Sequence, residues 1–128
     1  MVRGIGVDLC LISRIQRVID RDGLESPFIR KCFTEAERKE AASRSDKAAF
    51  YAARCAAKEA IFKALSASGV EHCDLRMIET LHSPEGRPFF HPTPGLDRIL
   101  FEAKIHTIHL SITTEGDFAE AFAIAEES

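Results

Sequence analysis

Apolar positions along the chain keep one spacing in the first half and another in the second. Val2–Val7 (VRGIGV) reads as a short strand whose glycines allow close backbone approach, and Asp8 stands at its end. From Leu11 the apolar residues fall at Leu11, Ile12, Ile15, Val18 and Ile19, the spacing of an amphipathic helix that Gly23 closes. Ser26-Pro27 offers a cap and a first-turn proline for a short helix through Phe28 and Ile29. Thr34-Glu35-Ala36-Glu37 carries the capping-box pattern and opens a charge-rich, exposed helix. Ser43–Asp46 then breaks that helix and caps the next. Phe50–Leu65 (FYAARCAAKEAIFKAL) has 12 apolar residues in 16, six of them alanine, and no Gly or Pro, so the pattern predicts a buried helix of about four turns. Ser68-Gly69 ends it.

Beyond Gly69 the period shortens. Asp74–His82 alternates through Leu75, Met77, Glu79 and Leu81 as a strand, Glu85-Gly86-Arg87-Pro88 turns, and Phe89–His91 returns. Pro92–Gly95 reads as a loop before a short helix, Leu96–Lys104. Ile108, Leu110 and Ile112 alternate in a strand, Glu115-Gly116-Asp117 turns, and Phe118–Ala125 returns with alanine at 119, 121, 123 and 125, a face suited to tight packing under a helix. The order predicts an α+β fold: one small domain (1–128), a mostly antiparallel sheet packed on a long buried helix.

Charge and cysteine usage narrow the function classes. A net charge of −3 and a pI near 5.9 give nucleic-acid binding no global electrostatic support. The apolar runs are too short for a membrane span, and the N-terminus lacks a signal-peptide pattern. Cys10, Cys32, Cys55 and Cys73 contain no Cys-x-x-Cys, which favours free thiols in a cytoplasmic protein over zinc or redox chemistry.

The charges on the buried helix are the strongest chemical signal. Arg54 and Lys58 stack one turn apart, and Glu59 and Lys63 stack on a second stripe about 140° away. Buried charge must be paired or must bind something charged. Either these are two ordinary ion pairs, or three cations and a carboxylate receive a metal-bound phosphate. Mg²⁺ takes one or two protein carboxylates and completes its shell with water and phosphate oxygens. Asp8 and Glu59 are the candidate pair, with Arg54, Lys58 and Lys63 neutralising phosphate. Asp8 also reads as a helix N-cap, and Glu59 as an i+4 partner of Lys63. Arg14, Arg17 and Arg21 form a basic stripe, either a solvated face or a surface that steers in an acidic partner.

Taken in order, the motifs resemble those of the holo-acyl-carrier-protein synthase family, the short phosphopantetheinyl transferases. Gly4-Ile5-Gly6-Val7-Asp8 with Ser13-Arg14-Ile15 resembles the first motif, and Phe33-Thr34-Glu35-Ala36-Glu37 the F-T-x-x-E segment. Arg54–Ala60 with Lys63-Ala64 resembles R-x-A-x-K-E-A-x-x-K-A, Gly86-Arg87-Pro88 the G-K-P turn, and Ser111-Ile112-Thr113 the S-(L/I)-(S/T)-H strand end. The similarity spans nearly the whole chain and implies that family's fold. It implies transfer of 4′-phosphopantetheine from coenzyme A to a serine of apo-acyl carrier protein, releasing adenosine 3′,5′-bisphosphate. It implies Mg²⁺ on Asp8 and Glu59, Lys63 at the leaving phosphate, and coenzyme A contacts at Arg54, Lys58, Gly86, Arg87, Pro88 and Ser111. The serine's base is Glu59 or a metal-bound water. Arg14, Arg17 and Arg21 would meet the carrier protein, and the assembly would be a homotrimer with active sites between subunits. Two departures stand out. Thr114 occupies the place of the strand-end histidine, and the glycine-rich turn after the long helix is thinned to Ser66-Ala67-Ser68-Gly69. They leave room for a non-catalytic coenzyme A or carrier-protein binding module, or for a variant acting on secondary-metabolite carriers.

Overall fold

In the computed structural model, residues 1–85 and 88–127 are described, without the side chains of residues 88, 89 and 92. The chain runs β1 (Val2–Leu11), α1 (Ile12–Asp22), α2 (Pro27–Cys32), α3 (Glu35–Ala42), α4 (Lys47–Ala67), a 3₁₀ turn (Leu75–Met77), β2 (Ile78–His82), β3 (Pro88–Pro92), α5 (Pro94–Glu102), β4 (Thr107–Glu115) and β5 (Phe118–Glu126). β1, β5 and β4 form an antiparallel sheet in that order, and β2–β3 is a separate antiparallel hairpin. This is the expected α+β class, with α4 as its buried axis.

The inner face of the sheet is built to let α4 come close. Ala119, Ala121, Ala123 and Ala125 on β5 are all buried, as the alternation predicts. On β1 the inward positions are Gly4, Gly6, Asp8 and Cys10. A methyl group at Gly6 would lie 1.8 Å from the Ala60 carbonyl oxygen, and one at Gly4 would lie 2.0 Å from that of Ala64. These glycines are therefore required by contact between strand and helix backbones rather than by turn geometry. The outer face is apolar and open to solvent: Ile5, Val7, Leu9 and Leu11 on β1 sit beside Phe118 and Phe122 on β5.

Caps fall where the sequence placed them. Ser26, Thr34 and Asp46 each accept a backbone N–H with their side chains, and Thr34 and Glu37 complete the capping box. Several boundaries differ. β1 continues four residues beyond Val7, because its pairing with β5 runs on to Leu11↔Phe118. Asp8 therefore lies inside a strand, which removes the N-cap reading. The N-terminus of α1 is instead capped from afar: Asp117, in the β4–β5 turn, accepts from Ser13 N at 2.9 Å and Ser13 Oγ at 2.6 Å. The alternation from Asp74 does not start a strand at once. Asp74 accepts from Arg76 N at 2.8 Å, winding Leu75–Met77 into a 3₁₀ turn, and pairing begins at Ile78. α5 starts at Pro94, with the proline in the first turn where its missing N–H costs nothing, and it ends at Glu102 before Lys104 at φ 61°.

Candidate functional site

The charged side chains of α4 meet three different surroundings. Lys58 is fully buried. Its ammonium lies 2.7 Å from Glu37 Oε1 and donates to the carbonyls of Leu75 at 2.8 Å and Ile78 at 2.6 Å. Burial pushes this ammonium down from its ordinary pKa, and the Glu37 charge pulls it part of the way back. Glu37 in turn accepts from Thr34 N, Thr80 N and Thr80 Oγ1. All three Lys58 donors are thus committed to α3, the 3₁₀ turn and β2. The phosphate-binding role expected of Lys58 is corrected: it is a strut tying those elements to α4.

Lys63 faces the opposite way. Its Nζ donates to Asp8 Oδ1 at 3.1 Å and to the Val7 carbonyl at 3.0 Å, with half of the side chain exposed. Asp8 reaches it because β1 turns its even positions toward α4, with Gly6 against Ala60 below and the free thiol of Cys10 hydrogen-bonded to that of Cys55 above. Glu59, one turn before Lys63, has no hydrogen bond or ion pair among the described residues, so the expected Glu59–Lys63 pairing is not formed. Behind Asp8, the Cys55 hydrogen bond draws the Cys10 thiol down to about 7 against the effect of burial, with the Arg14 charge helping. The donor burden falls on Cys55, whose own thiol is pushed up. No group of three or more His, Cys, Asp or Glu side chains among the described residues is arranged to hold a metal. Mg²⁺ takes one or two protein carboxylates and the rest of its shell from water and phosphate, and Asp8 on Lys63, with Glu59 one turn before Lys63 on α4, supplies side chains of that kind.

Arg54 borders a third environment, nine residues before Lys63 and about 180° around the helix from it. Its guanidinium is 1% exposed, hydrogen-bonds the His82 ring and lies 3.8 Å from Glu40 Oε1. Its Nε and Nη1 have no partner among the described residues. Burial lowers its pKa, with Glu40 acting against that. Arg54 lines a cavity of about 410 Å³ together with Arg44, Asp46, Phe50, His82 and Thr114. The Arg54 and Arg44 guanidiniums stand over the Phe50 ring at 5.1 and 5.4 Å. His82, Glu40, Arg44 and Phe50 were not singled out in the sequence. The hairpin carrying His82 gave no sign that it would lie against α4.

The remaining expected residues scatter. Arg14, Arg17 and Arg21 are exposed along α1. Arg14 approaches Cys10 Sγ at 3.6 Å, two residues from Asp8, and Arg21 pairs with Asp22 at 2.9 Å. Ser111 lies on β4 opposite Phe122, on the outer sheet face, away from the cavity that Ile112 and Thr114 line. Gly86 and Arg87 lie outside the described residues, and Pro88 opens β3.

Against known proteins, residues 4–125 match the family model of the 4′-phosphopantetheinyl transferase superfamily. The chain is 40% identical over 126 residues to the holo-[acyl-carrier-protein] synthase of Myxococcus xanthus, covering 98% of this chain and 95% of that protein. It is similar to the crystal structure of holo-[acyl-carrier-protein] synthase from Neisseria meningitidis, with a TM-score of 0.86, 31% identity, and 99% and 100% of the two chains covered. The ACPS–CoA complex of Chronobacterium ammoniagenes superimposes with a TM-score of 0.80 at 30% identity, covering 98% of this chain and 97% of that one.

Proposed function

Because the chain belongs to the 4′-phosphopantetheinyl transferase superfamily, we propose that it transfers 4′-phosphopantetheine from coenzyme A to a serine of an apo-acyl carrier protein, releasing adenosine 3′,5′-bisphosphate. The observation that carries this reading is the Asp8–Lys63 contact at 3.1 Å, with the Glu59 carboxylate, unpaired among the described residues, one turn before Lys63 on α4. Asp8 and Glu59 would hold Mg²⁺. When bound, the ion neutralises the pyrophosphate and polarises the phosphorus under attack.

The chain's own groups divide the remaining work. Lys63 neutralises Asp8 here, and it is exposed enough to turn to the phosphate that leaves. Glu59, without a hydrogen bond or ion pair among the described residues, is the carboxylate available to take the serine proton. Arg54, whose Nε and Nη1 have no partner among the described residues, is the guanidinium for a second phosphate. Arg14, next to Cys10, starts the exposed arginine stripe close to Asp8, so an acidic carrier helix laid along Arg14, Arg17 and Arg21 would bring its serine to the carboxylates. The glycine, arginine and proline at 86–88 and Ser111 would complete the coenzyme A contacts.

The assembly reading is a homotrimer with sites between subunits. The exposed row Ile5, Val7, Leu9, Leu11, Phe118 and Phe122 is a contiguous apolar surface of the kind that oligomers bury. Arg54 and Lys63 flank α4 on opposite sides, nine residues and about 180° apart, so one coenzyme A reaches both kinds of group most directly between two copies. The four free thiols fit a cytoplasmic protein, and no helix among the described residues is long and apolar enough to cross a membrane.

The test is to mix the full protein with coenzyme A, Mg²⁺ and apo-carrier protein and follow the carrier by mass spectrometry. A gain of one phosphopantetheine is expected. Folded protein that modifies neither fatty-acid nor secondary-metabolite carriers would end this reading, and binding without turnover would replace it with a binding module.

A further inference from the structure

α1 leaves the sheet with no connecting loop, and it has neither a capping side chain of its own nor an acidic residue in its first turn. The residue that completes it stands near the other end of the chain. We propose that Asp117 is the positioning residue for carrier-protein docking: its clamp on the start of α1 sets the direction in which Arg14, Arg17 and Arg21 are presented. The proposal rests on the transferase reading above.

Three hydrogen bonds make the clamp, all to one residue. Ile12 N donates to the Asp117 carbonyl at 2.9 Å, Ser13 N to Oδ1 at 2.9 Å, and Ser13 Oγ to Oδ2 at 2.6 Å. Backbone and side chain of Asp117 thus hold two consecutive residues, which fixes an angle as well as a position. Asp117 is itself fixed. It follows Gly116, at φ 58°, in the β4–β5 turn, and the next residue, Phe118, pairs with Leu11. The start of α1 is therefore held in register with β1, the strand that carries Asp8.

The rest of α1 is held by other means. Ile15 is buried, and Ile12 and Ile19 pack partly against the core, so the apolar face keeps the helix on the body of the protein. Apolar contact is non-directional and tolerates a small swing. Arg21 lies eight residues beyond Ser13, about 12 Å along the axis, so a swing of about 10° at the clamp carries it about 2 Å. A charge-assisted hydrogen bond spans only about 2.7–2.9 Å, so the arginines would have to stretch to regain an acidic helix, at a cost in rotamer entropy.

Charge alone makes the opposite prediction. Asp117 is an exposed carboxylate, and removing it would lessen the repulsion of an acidic partner and tighten docking. Loss of a clamp weakens docking instead. The two roles separate by sign.

The experiment compares the wild type with Asp117→Ala, Asp117→Asn, Ser13→Ala and the double change Ser13→Ala with Asp117→Ala. Kd for apo-carrier protein is read by calorimetry, and kcat and KM for each substrate in the transfer assay. Loss of one helix cap lowers Tm by only a few degrees, so the variants remain folded for both measurements. Asp117→Ala should raise Kd and KM for the carrier about 5-fold, short of the roughly 10-fold of one charge-assisted hydrogen bond lost outright, with KM for coenzyme A unchanged. The salt dependence of carrier binding should become shallower as arginine contacts drop out. Asp117→Asn keeps an acceptor for Ser13 N and should fall between wild type and Asp117→Ala. Ser13→Ala should weaken docking about 2-fold alone and add nothing to Asp117→Ala.

Carrier affinity that is unchanged or tighter in Asp117→Ala, or equal losses for carrier and coenzyme A, would overturn the assignment while leaving the transferase reading intact. A wild type that binds the carrier without transfer would end that reading instead, and the calorimetric series would still judge the clamp. A wild type that binds no carrier would end both.

Discussion

Lys58 and Lys63 are the same side chain on the same helix, five residues apart, and their surroundings give them opposite work. Lys58 points into the packing between α3, β2 and α4, is fully buried, and has every donor met by Glu37 and two carbonyls. Lys63 points along the flank that β1 leaves open, half exposed, and meets Asp8, with Glu59 one turn before it unpaired among the described residues. A buried charge whose bonds are complete cannot be recruited without breaking the core, whereas a half-exposed one can change partners at small cost. Satisfaction, more than charge, separates a strut from a side chain free to change partners.

The comparison can be broken most severely at the strut. Lys58→Ala leaves Glu37 charged and unpaired in the core and should cost about 3–5 kcal/mol in denaturant unfolding. The double change Lys58→Met with Glu37→Leu, by contrast, should recover most of that loss. Lys63→Ala should do the reverse, altering stability by less than about 1 kcal/mol while lowering kcat for phosphopantetheine transfer about 10²–10³-fold. Equal melting losses for Lys58→Ala and Lys63→Ala would erase the distinction.

A third change probes how β1 reaches the reacting flank. Gly6→Ala drives a methyl group into the Ala60 carbonyl and should cost about 1–3 kcal/mol, because strand and helix must part. Since Asp8 follows two residues later, activity should fall by more than the stability loss explains, measured at a temperature where the variant is folded.

The smallest effect concerns Glu40. Burial raises its carboxyl, but the His82 hydrogen bond and the Arg54 and Arg44 groups outweigh that and hold it below its ordinary value of 4.5. Its contribution to stability is therefore complete above about pH 4.5 and is lost as pH falls through the lowered value. Glu40→Gln should flatten that part of the acid-unfolding curve by about 1 kcal/mol or less, since the group is partly exposed. An unchanged curve would mean that the cluster around the cavity is not coupled.

Much of this was legible in the chain. Six alanines without Gly or Pro declared α4, four alternate alanines declared the strand beneath it, and Thr34 with Glu37 declared a capping box, because each depends on neighbours within a few residues. The motif spacing also singled out Asp8, Glu59 and Lys63, and the fold brings the first and last of these into contact at 3.1 Å. Local pattern could not say that β1 runs past Asp8, that α1 is capped by Asp117 across 104 residues, or that Glu37 reaches Lys58 and Thr80. Nor could it place His82, 28 residues from Arg54, against that guanidinium. Helical and strand periods fix which residues share a face. What each face meets depends on contacts between distant segments, and those contacts decided that Lys58 is closed in, that Lys63 is free to act, and that an imidazole stands near Thr114.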